Sequence, residues 1–310
     1  MTIGIAAVGP DAGAAILEGL AAAETIGEGA LGGFVSFAAV SAVTGRVHRH
    51  GVQRQGSVSL LHVAQGDPAG LQADRAALMS SGPDRPEPLA QFVSANAHGC
   101  LVTGHRFPNT ARGEGDPANA QVLRLLSEGQ SAELAVKTFT RSNPMADAGF
   151  IAVDARGELF IGNCARVEQR RDLGQALASA PGGLQVAVTH NAIWPTLGLA
   201  ELVAQIVLRK MQTPPSLRTI RVAAGTPVRY GHEDAVFLTA AGDSVSCIQT
   251  CDASLLTQAM DGAAIYANAP VYIGTRCVGQ VFDEPYTRVS GSRINSLDGA
   301  DTLNIRYQVL

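Results

Sequence analysis

The stretch Ala146-Asp147-Ala148-Gly149-Phe150-Ile151-Ala152-Val153-Asp154-Ala155-Arg156-Gly157-Glu158-Leu159 carries the fold reading, and Gly162-Asn163-Cys164 completes it. Phe150 to Val153 is a short apolar run bounded by turn residues, which reads as a buried strand. Ala155-Arg156-Gly157 has turn composition, and Glu158 to Ile161 returns as the second strand of a hairpin. Upstream, Asp116-Pro117 reads as an N-cap followed by a first-turn proline, starting a helix that runs to about Glu128. Ser131 caps a second helix reaching about Arg141, and Asn143-Pro144 ends it. Two helices therefore deliver the chain into the hairpin.

The same plan recurs outward from this stretch. Opening strands are expected at Ile3–Val8, Leu101–Thr103 and Val186–Thr189. Hairpins open at Gly33-Phe34, Gly149-Phe150 and Ala235-Val236, and a helix spans Leu197–Met211. The expected architecture is an α/β (α+β) layered sandwich of the αββα kind within a single domain, 1–310. It is built from three strand-helix-hairpin units at about 1–60, 97–170 and 184–250, with a β-rich C-terminal extension. Residues 64–92, rich in Pro, Gly, Asp and Ser, read as a loop-rich excursion around a short helix.

Composition narrows the function. Charged residues are 16% of the 310, against roughly 25% for globular proteins in general, and the net charge is −4. No basic face is offered to nucleic acid. Only Lys137 and Lys210 are lysines, and neither stands in a phosphate-loop context. Both read as solvated helix residues. Five cysteines without a Cys-x-x-Cys pair suggest reduced thiols. No apolar segment is long enough to span a bilayer. The expectation is a cytoplasmic protein with no membrane or nucleic-acid partner and no cofactor. Its glycine-rich apolar strands are compatible with a homo-oligomer. Gly27-x-Gly29-x-x-Gly32 follows a helix and precedes a strand, the reverse of a dinucleotide site. His48 and His50 face one side of a strand, but no further ligand is evident, so no metal is expected.

The helix pair and hairpin between Ala118 and Arg166 resemble the corresponding segment of N-terminal nucleophile (Ntn) hydrolases, notably the asparaginase and isoaspartyl-peptidase branch. The resemblance covers about fifty residues and implies an αββα sandwich and amide hydrolysis, which in the asparaginase branch uses a Thr directly before a hairpin strand, freed by autoproteolysis. This chain departs from the asparaginase pattern, because Gly32-Gly33 precedes its first hairpin with no adjacent Thr or Ser. Two substitutes exist. Thr2 begins a strand and becomes N-terminal if Met1 is removed, its own amine then serving as base. Cys100 follows Gly99 at the start of another strand. Three-repeat ring-opening amidohydrolases need three Ser-Lys dyads, which two lysines cannot supply.

Polar candidates cluster after two strand ends. Thr103-Gly104-His105-Arg106-Phe107-Pro108-Asn109, with Asn119 beyond, leads toward a helix start; Thr189-His190-Asn191 is its counterpart, near Trp194. The catalytic candidates are Thr2, Cys100, Thr103, His105 and His190. The substrate-binding candidates are Arg106, Asn109, Asn119, Asn191 and Arg166, the arginines suiting a carboxylate. The leading expectation is hydrolysis of an amide-type bond in a small carboxylate-bearing molecule. The alternatives are a non-catalytic small-acid binder and an isomerase or lyase using His105 and His190 as a two-base pair.

Overall fold

Ile3, Ile5 and Ala7 alternate with Gly4, Ala6 and Val8, and this period of two gives the first strand opposite faces that are both buried. A computed structural model of the chain describes residues 1–29, 31–111, 115–212, 216–262 and 264–310. The fold is mixed α+β, in two compact units, 1–213 and 214–310. The single domain expected from the sequence is thus divided, and the third expected unit, 184–250, is split between the two.

In the first unit, β1 (Thr2–Val8) leads to α1 (Ala12–Ile26), β2 (Phe34–Val40) and β3 (Val47–Gln53). Two helices, α2 (Gly56–Ala64) and α3 (Pro68–Leu71), precede β4 (Arg75–Ser81) and β5 (Ser94–Ala95). Then come β6 (Leu101–Arg106), α4 (Ala118–Ser127), α5 (Ala132–Ser142), β7 (Ala148–Val153) and β8 (Leu159–Asn163). The unit ends with α6 (Ala165–Glu168), β9 (Leu173–Ala180), β10 (Leu184–Asn191) and α7 (Leu199–Met211).

Six strands form one sheet in the order β3-β2-β4-β1-β10-β9, and four form another in the order β5-β6-β7-β8. Residues 64–92 are not merely loop. They contain β4, buried along its whole length and paired with both β1 and β2. A strand buried on both faces carries no alternation, so its apolar residues did not stand out from the surrounding Pro and Gly.

Three apolar clusters organise this unit. Ile3, Ile5 and Ala7 pack with Ile16, Leu20, Val203 and Val207 of α1 and α7. Gly19 permits that helix contact, since a Cβ there would lie 2.4 Å from Val207 Cγ2. Ala6, Ala77 and Ala187 of the larger sheet pack with Leu101, Ile151 and Val153 of the smaller. Cys100, Val102, Phe150 and Ala152 pack with Val122, Ala135 and Phe139 of α4 and α5. Close approach between the sheets is set by glycine: a Cβ on Gly4 would meet the Gly104 carbonyl oxygen at 2.4 Å.

The hairpin turn is fixed by Gly157 (φ +89°) and by Asp154, whose Oδ1 accepts from the Arg156 and Glu158 amides at 2.9 and 3.1 Å. Ser131 caps α5 as expected, accepting from Leu134 N. Asp116 does not cap α4, which begins after Pro117 without a side-chain cap.

The second unit is strand-rich. It comprises β11 (Leu217–Ala223), β12 (Val228–Tyr230), β13 (Ala235–Leu238), β14 (Val245–Thr250), α8 (Ser254–Thr257) and β15 (Met260–Gly262). These are followed by β16 (Pro270–Ile273), β17 (Arg276–Val281), β18 (Thr287–Ser290), β19 (Arg293–Leu297) and β20 (Thr302–Val309). Seven strands order as β11-β20-β17-β16-β13-β14-β12 and three as β15-β18-β19. Its core includes Val236, Ile248, Val271, Val289, Ile294 and Tyr307. Among the described residues no helix is long and apolar enough to cross a membrane.

Candidate functional site

Strand register draws the site. Thr2 lies between Ser81 of β4 and Asn191 of β10, with Phe34 beyond Ser81. All four share the face of the larger sheet that carries Ala6, Ala77 and Ala187 toward the smaller sheet. On β6, Leu101, Thr103 and His105 face back. Gly149 and Asn163 lie in register beside His105.

His105 is fully buried, and its Nε2 donates to Asn163 Oδ1 at 2.9 Å. Gly149 makes this contact possible, since a Cβ there would meet His105 Nε2 at 2.1 Å and Asn163 Oδ1 at 2.2 Å. With the proton on Nε2, Nδ1 of the neutral ring carries a lone pair. Nδ1 is buried without a partner, and so are both polar atoms of the Asn191 carboxamide. Burial pushes the His105 pKa from 6.5 to about 4; Asn163 and Asn191 oppose the shift, while the charges of His190 and Arg106 reinforce it. A cavity of about 350 Å³, bounded by Asn163, Leu173 and Gln175, opens beside this group.

Buried polar groups are normally paired, because an unpaired one costs about 1–3 kcal/mol. Three unpaired atoms on two facing walls make this group a candidate binding place.

Cations ring the start of β1. Arg106 is held bidentately by Asp147, Nε to Oδ1 at 2.9 Å and Nη2 to Oδ2 at 2.7 Å. That pairing holds the Asp147 carboxyl below its usual range, against its burial. Arg170 grips Asp172 in the same way, Nε to Oδ1 at 2.8 Å; burial pushes Asp172 up, but the arginine outweighs it and the carboxyl titrates low.

Arg85 differs. Its Nη2 donates to Ser81 Oγ at 3.2 Å, and its guanidinium stands 5.9 Å from the Phe34 ring and 6.0 Å from Phe107. Among the described residues it has no carboxylate within salt-bridge distance. Ser81 Oγ donates in turn to the Met1 carbonyl at 2.6 Å. Burial, then the charges of Arg106, Arg85 and Arg170, lowers the Met1 amine below its usual pKa, with Asp172 opposing.

The candidates read from sequence separate. Thr2, Asn191 and His105 come together. Thr103 shares their face, but its hydroxyl is committed to the Leu78 carbonyl at 2.8 Å. His190 does not join them. It lies one residue out of phase with Asn191, on the face of Val186 and Val188 that packs against α7. Gly174 leaves room for its ring there, and both ring nitrogens are buried without partners. Burial lowers its pKa, opposed by Glu201 and Asp172. The two histidines thus lie on opposite sides of the larger sheet, His105 on the smaller sheet that faces it and His190 on its helix side, and no two-base pair is assembled.

Cys100 packs among the residues facing α4 and α5, and burial raises its thiol pKa. It is not beside Thr2. Asn109 Nδ2 and Asn119 Nδ2 both donate to Gln91, at 3.1 and 2.7 Å, and so anchor the turn Leu89–Phe92. Arg166 is exposed at the edge of a second cavity. Trp194 is exposed and bridges to Glu28. His48 Nδ1 and His50 Nε2 meet at Asp67 Oδ2, at 2.7 and 3.1 Å. Among the described residues no group of three or more His, Cys, Asp or Glu is disposed to hold a metal ion.

Ser81, Arg85 and Asn163 escaped the sequence reading. Asn163 was in the quoted hairpin, but its role depends on register. Ser81 and Arg85 lay in the stretch read as loop. Gly149 was the usable signal, a glycine inside an otherwise apolar strand, which marks a close approach.

The first unit is thus a two-sheet α+β domain with a polar, incompletely paired group at one end of its inter-sheet space. The chain belongs to the family of a domain of unknown function, DUF6963, whose model matches residues 2–220. Residues 225–302 match a second domain of unknown function, DUF7259. No curated protein matches the sequence.

Proposed function

We propose that residues 1–213 are an αββα sandwich of the Ntn-hydrolase kind and hydrolyse an amide-type bond in a small carboxylate-bearing molecule. Thr2 is the nucleophile once Met1 has been removed. The observation that carries the reading is the position of Thr2, on a buried strand between Ser81 and Asn191, facing the unpaired groups of Asn191 and His105.

The chemistry follows from the residues. The Thr2 amine takes the hydroxyl proton as Oγ attacks the substrate carbonyl carbon. The oxyanion meets the Ser81 hydroxyl and the Asn191 Nδ2–H, donors aimed into the same space. The C–N bond breaks, the departing amine takes the proton back from the Thr2 ammonium, and an acyl ester remains. Water, activated by the same amine, hydrolyses the ester. In the chain that keeps Met1, burial and then the arginine charges lower the terminal amine; at Thr2 it is the unprotonated form that works as a base. His105 Nδ1 accepts a hydrogen bond from substrate or water.

The substrate carboxylate goes to Arg85, whose charge is unmatched among the described residues. Arg106 is already engaged bidentately by Asp147 and is not offered to the substrate. The test is release of amine or ammonia from N-acetyl amino acids and from ω-amides of short dicarboxylic acids. Turnover that falls at least a hundredfold in Thr2→Val is expected. Equal rates in the two proteins would overturn the reading, and saturable binding without turnover would make the protein a binder of small acids.

A further inference from the structure

A second cavity, of about 210 Å³, lies on the helix side of the smaller sheet, and the chemistry so far gives it no task. Its buried wall is apolar, with Ala118 of α4, Phe139 of α5 and Ala148 of β7. Phe107 and Arg166, both exposed, stand at its edge, and Thr110, Gln121, Asn143 and Asp147 add polar groups to the rest of its lining. Two of these residues also belong to the Thr2 site. Asp147 binds Arg106, one of the charges acting on the Met1 amine. The Phe107 ring lies 5.2 Å from the Arg106 guanidinium and 6.0 Å from that of Arg85. Phe107 thus lies beside both the cations and the cavity.

We infer that this cavity receives an aromatic or branched apolar side chain of the substrate. The substrate is then an N-acylated amino acid, its carboxylate on Arg85, its side chain beyond Phe107, and its amide at Thr2. The inference rests on the Thr2 reading for the amide, but the cavity itself is defined by residues that take no part in the chemistry. Two phenyl rings and alanine methyls favour an apolar group of modest size, and the volume admits a phenyl or isobutyl group but not a long acyl chain. The Arg106–Asp147 pair, being internally neutral, forms a wall that imposes no net charge on what passes it.

The test is calorimetric binding of N-acetyl-L-phenylalanine, N-acetylglycine and N-acetyl-L-phenylalaninamide to the full chain. The phenylalanine compound is expected to bind at least tenfold more tightly than either of the others. Ala118→Leu fills the cavity and is expected to reduce it to the level of N-acetylglycine, whose own binding stays unchanged. Phe107→Ala, at an exposed position, is expected to weaken the phenylalanine compound severalfold. Equal binding of the three compounds by the wild type, no binding of any, or full binding by both variants would overturn the inference. Thr2→Val separates the two proposals. It keeps the binding preference while losing hydrolysis if both hold. Binding preference with no hydrolysis in any variant would remove the nucleophile and leave the cavity assignment standing.

Discussion

The two ends of the space between the sheets of the first unit are both polar and both buried, yet they are built differently. At one end Arg75 Nη1 donates to the carbonyls of Gly99, Asp154 and Ala155 at 3.2, 3.1 and 3.0 Å, while its Nε is buried without a hydrogen bond. Asp154 binds the amides of Arg156, Glu158 and Ala132. At the other end His105 Nδ1 and the whole Asn191 carboxamide have no partner. Polar groups that close on one another hold the sheets in register. Polar groups left open subtract from stability and are retained for what they bind.

This contrast can be broken by substitution. The largest effect belongs to the closed end. Arg75→Met strands three carbonyls and is expected to cost about 4 kcal/mol, read as a lower midpoint of chemical denaturation. A loss under about 1 kcal/mol would show that the arginine is not a tie between the sheets.

The open end predicts a pH dependence. His105 is held down near 4 by burial, whereas the unfolded chain takes up a proton near 6.5. Between those values the unfolded state binds more protons than the folded state, so stability falls as the pH is lowered through this window. The fall amounts to about 3 kcal/mol and levels off below it. His190, also lowered by burial, adds in the same direction. His105→Gln should flatten the slope of unfolding free energy against pH; an unchanged slope would assign it to other groups.

A smaller effect has the opposite sign. Asn191→Leu replaces an unpaired buried amide and is expected to stabilise the fold by about 1 kcal/mol while reducing turnover, seen as a higher melting temperature with a lower rate. A destabilised protein would show that the carboxamide is paired after all. Smallest is Lys137→Ala, which removes an exposed ion pair to Glu133 and should change stability by less than about 0.5 kcal/mol.

How much of this was legible follows from the same physics. The hairpin at 148–163, the capped helix α5, the strand β1 and the helix α7 were readable, because periodicity and turn residues are local signals. Strand β4 was not, because burial on both faces erases alternation. Thr2, His105 and Asn191 were readable as strand-end polar residues. Their assembly and the exclusion of His190 depend on strand phase, where one residue reverses the face. Ser81 and Arg85 reach the site only through pairing of β4 with β1, a long-range fact. The boundary near residue 213 is marked in the sequence only by Thr213-Pro214-Pro215-Ser216, whose prolines end a helix as readily as a domain.

Thr2 carries the proposed chemistry most directly. Its test is to expose the purified protein to a β-lactone, digest it, and weigh the N-terminal peptide. A hydroxyl nucleophile opens the ring, forming an ester as the lactone C–O bond breaks and the freed alkoxide takes a proton. The predicted result is a peptide that begins at Thr2 and carries the acyl group there, with no labelling in Thr2→Val. An unlabelled peptide still beginning with Met1, or a label that persists elsewhere in Thr2→Val, would contradict it.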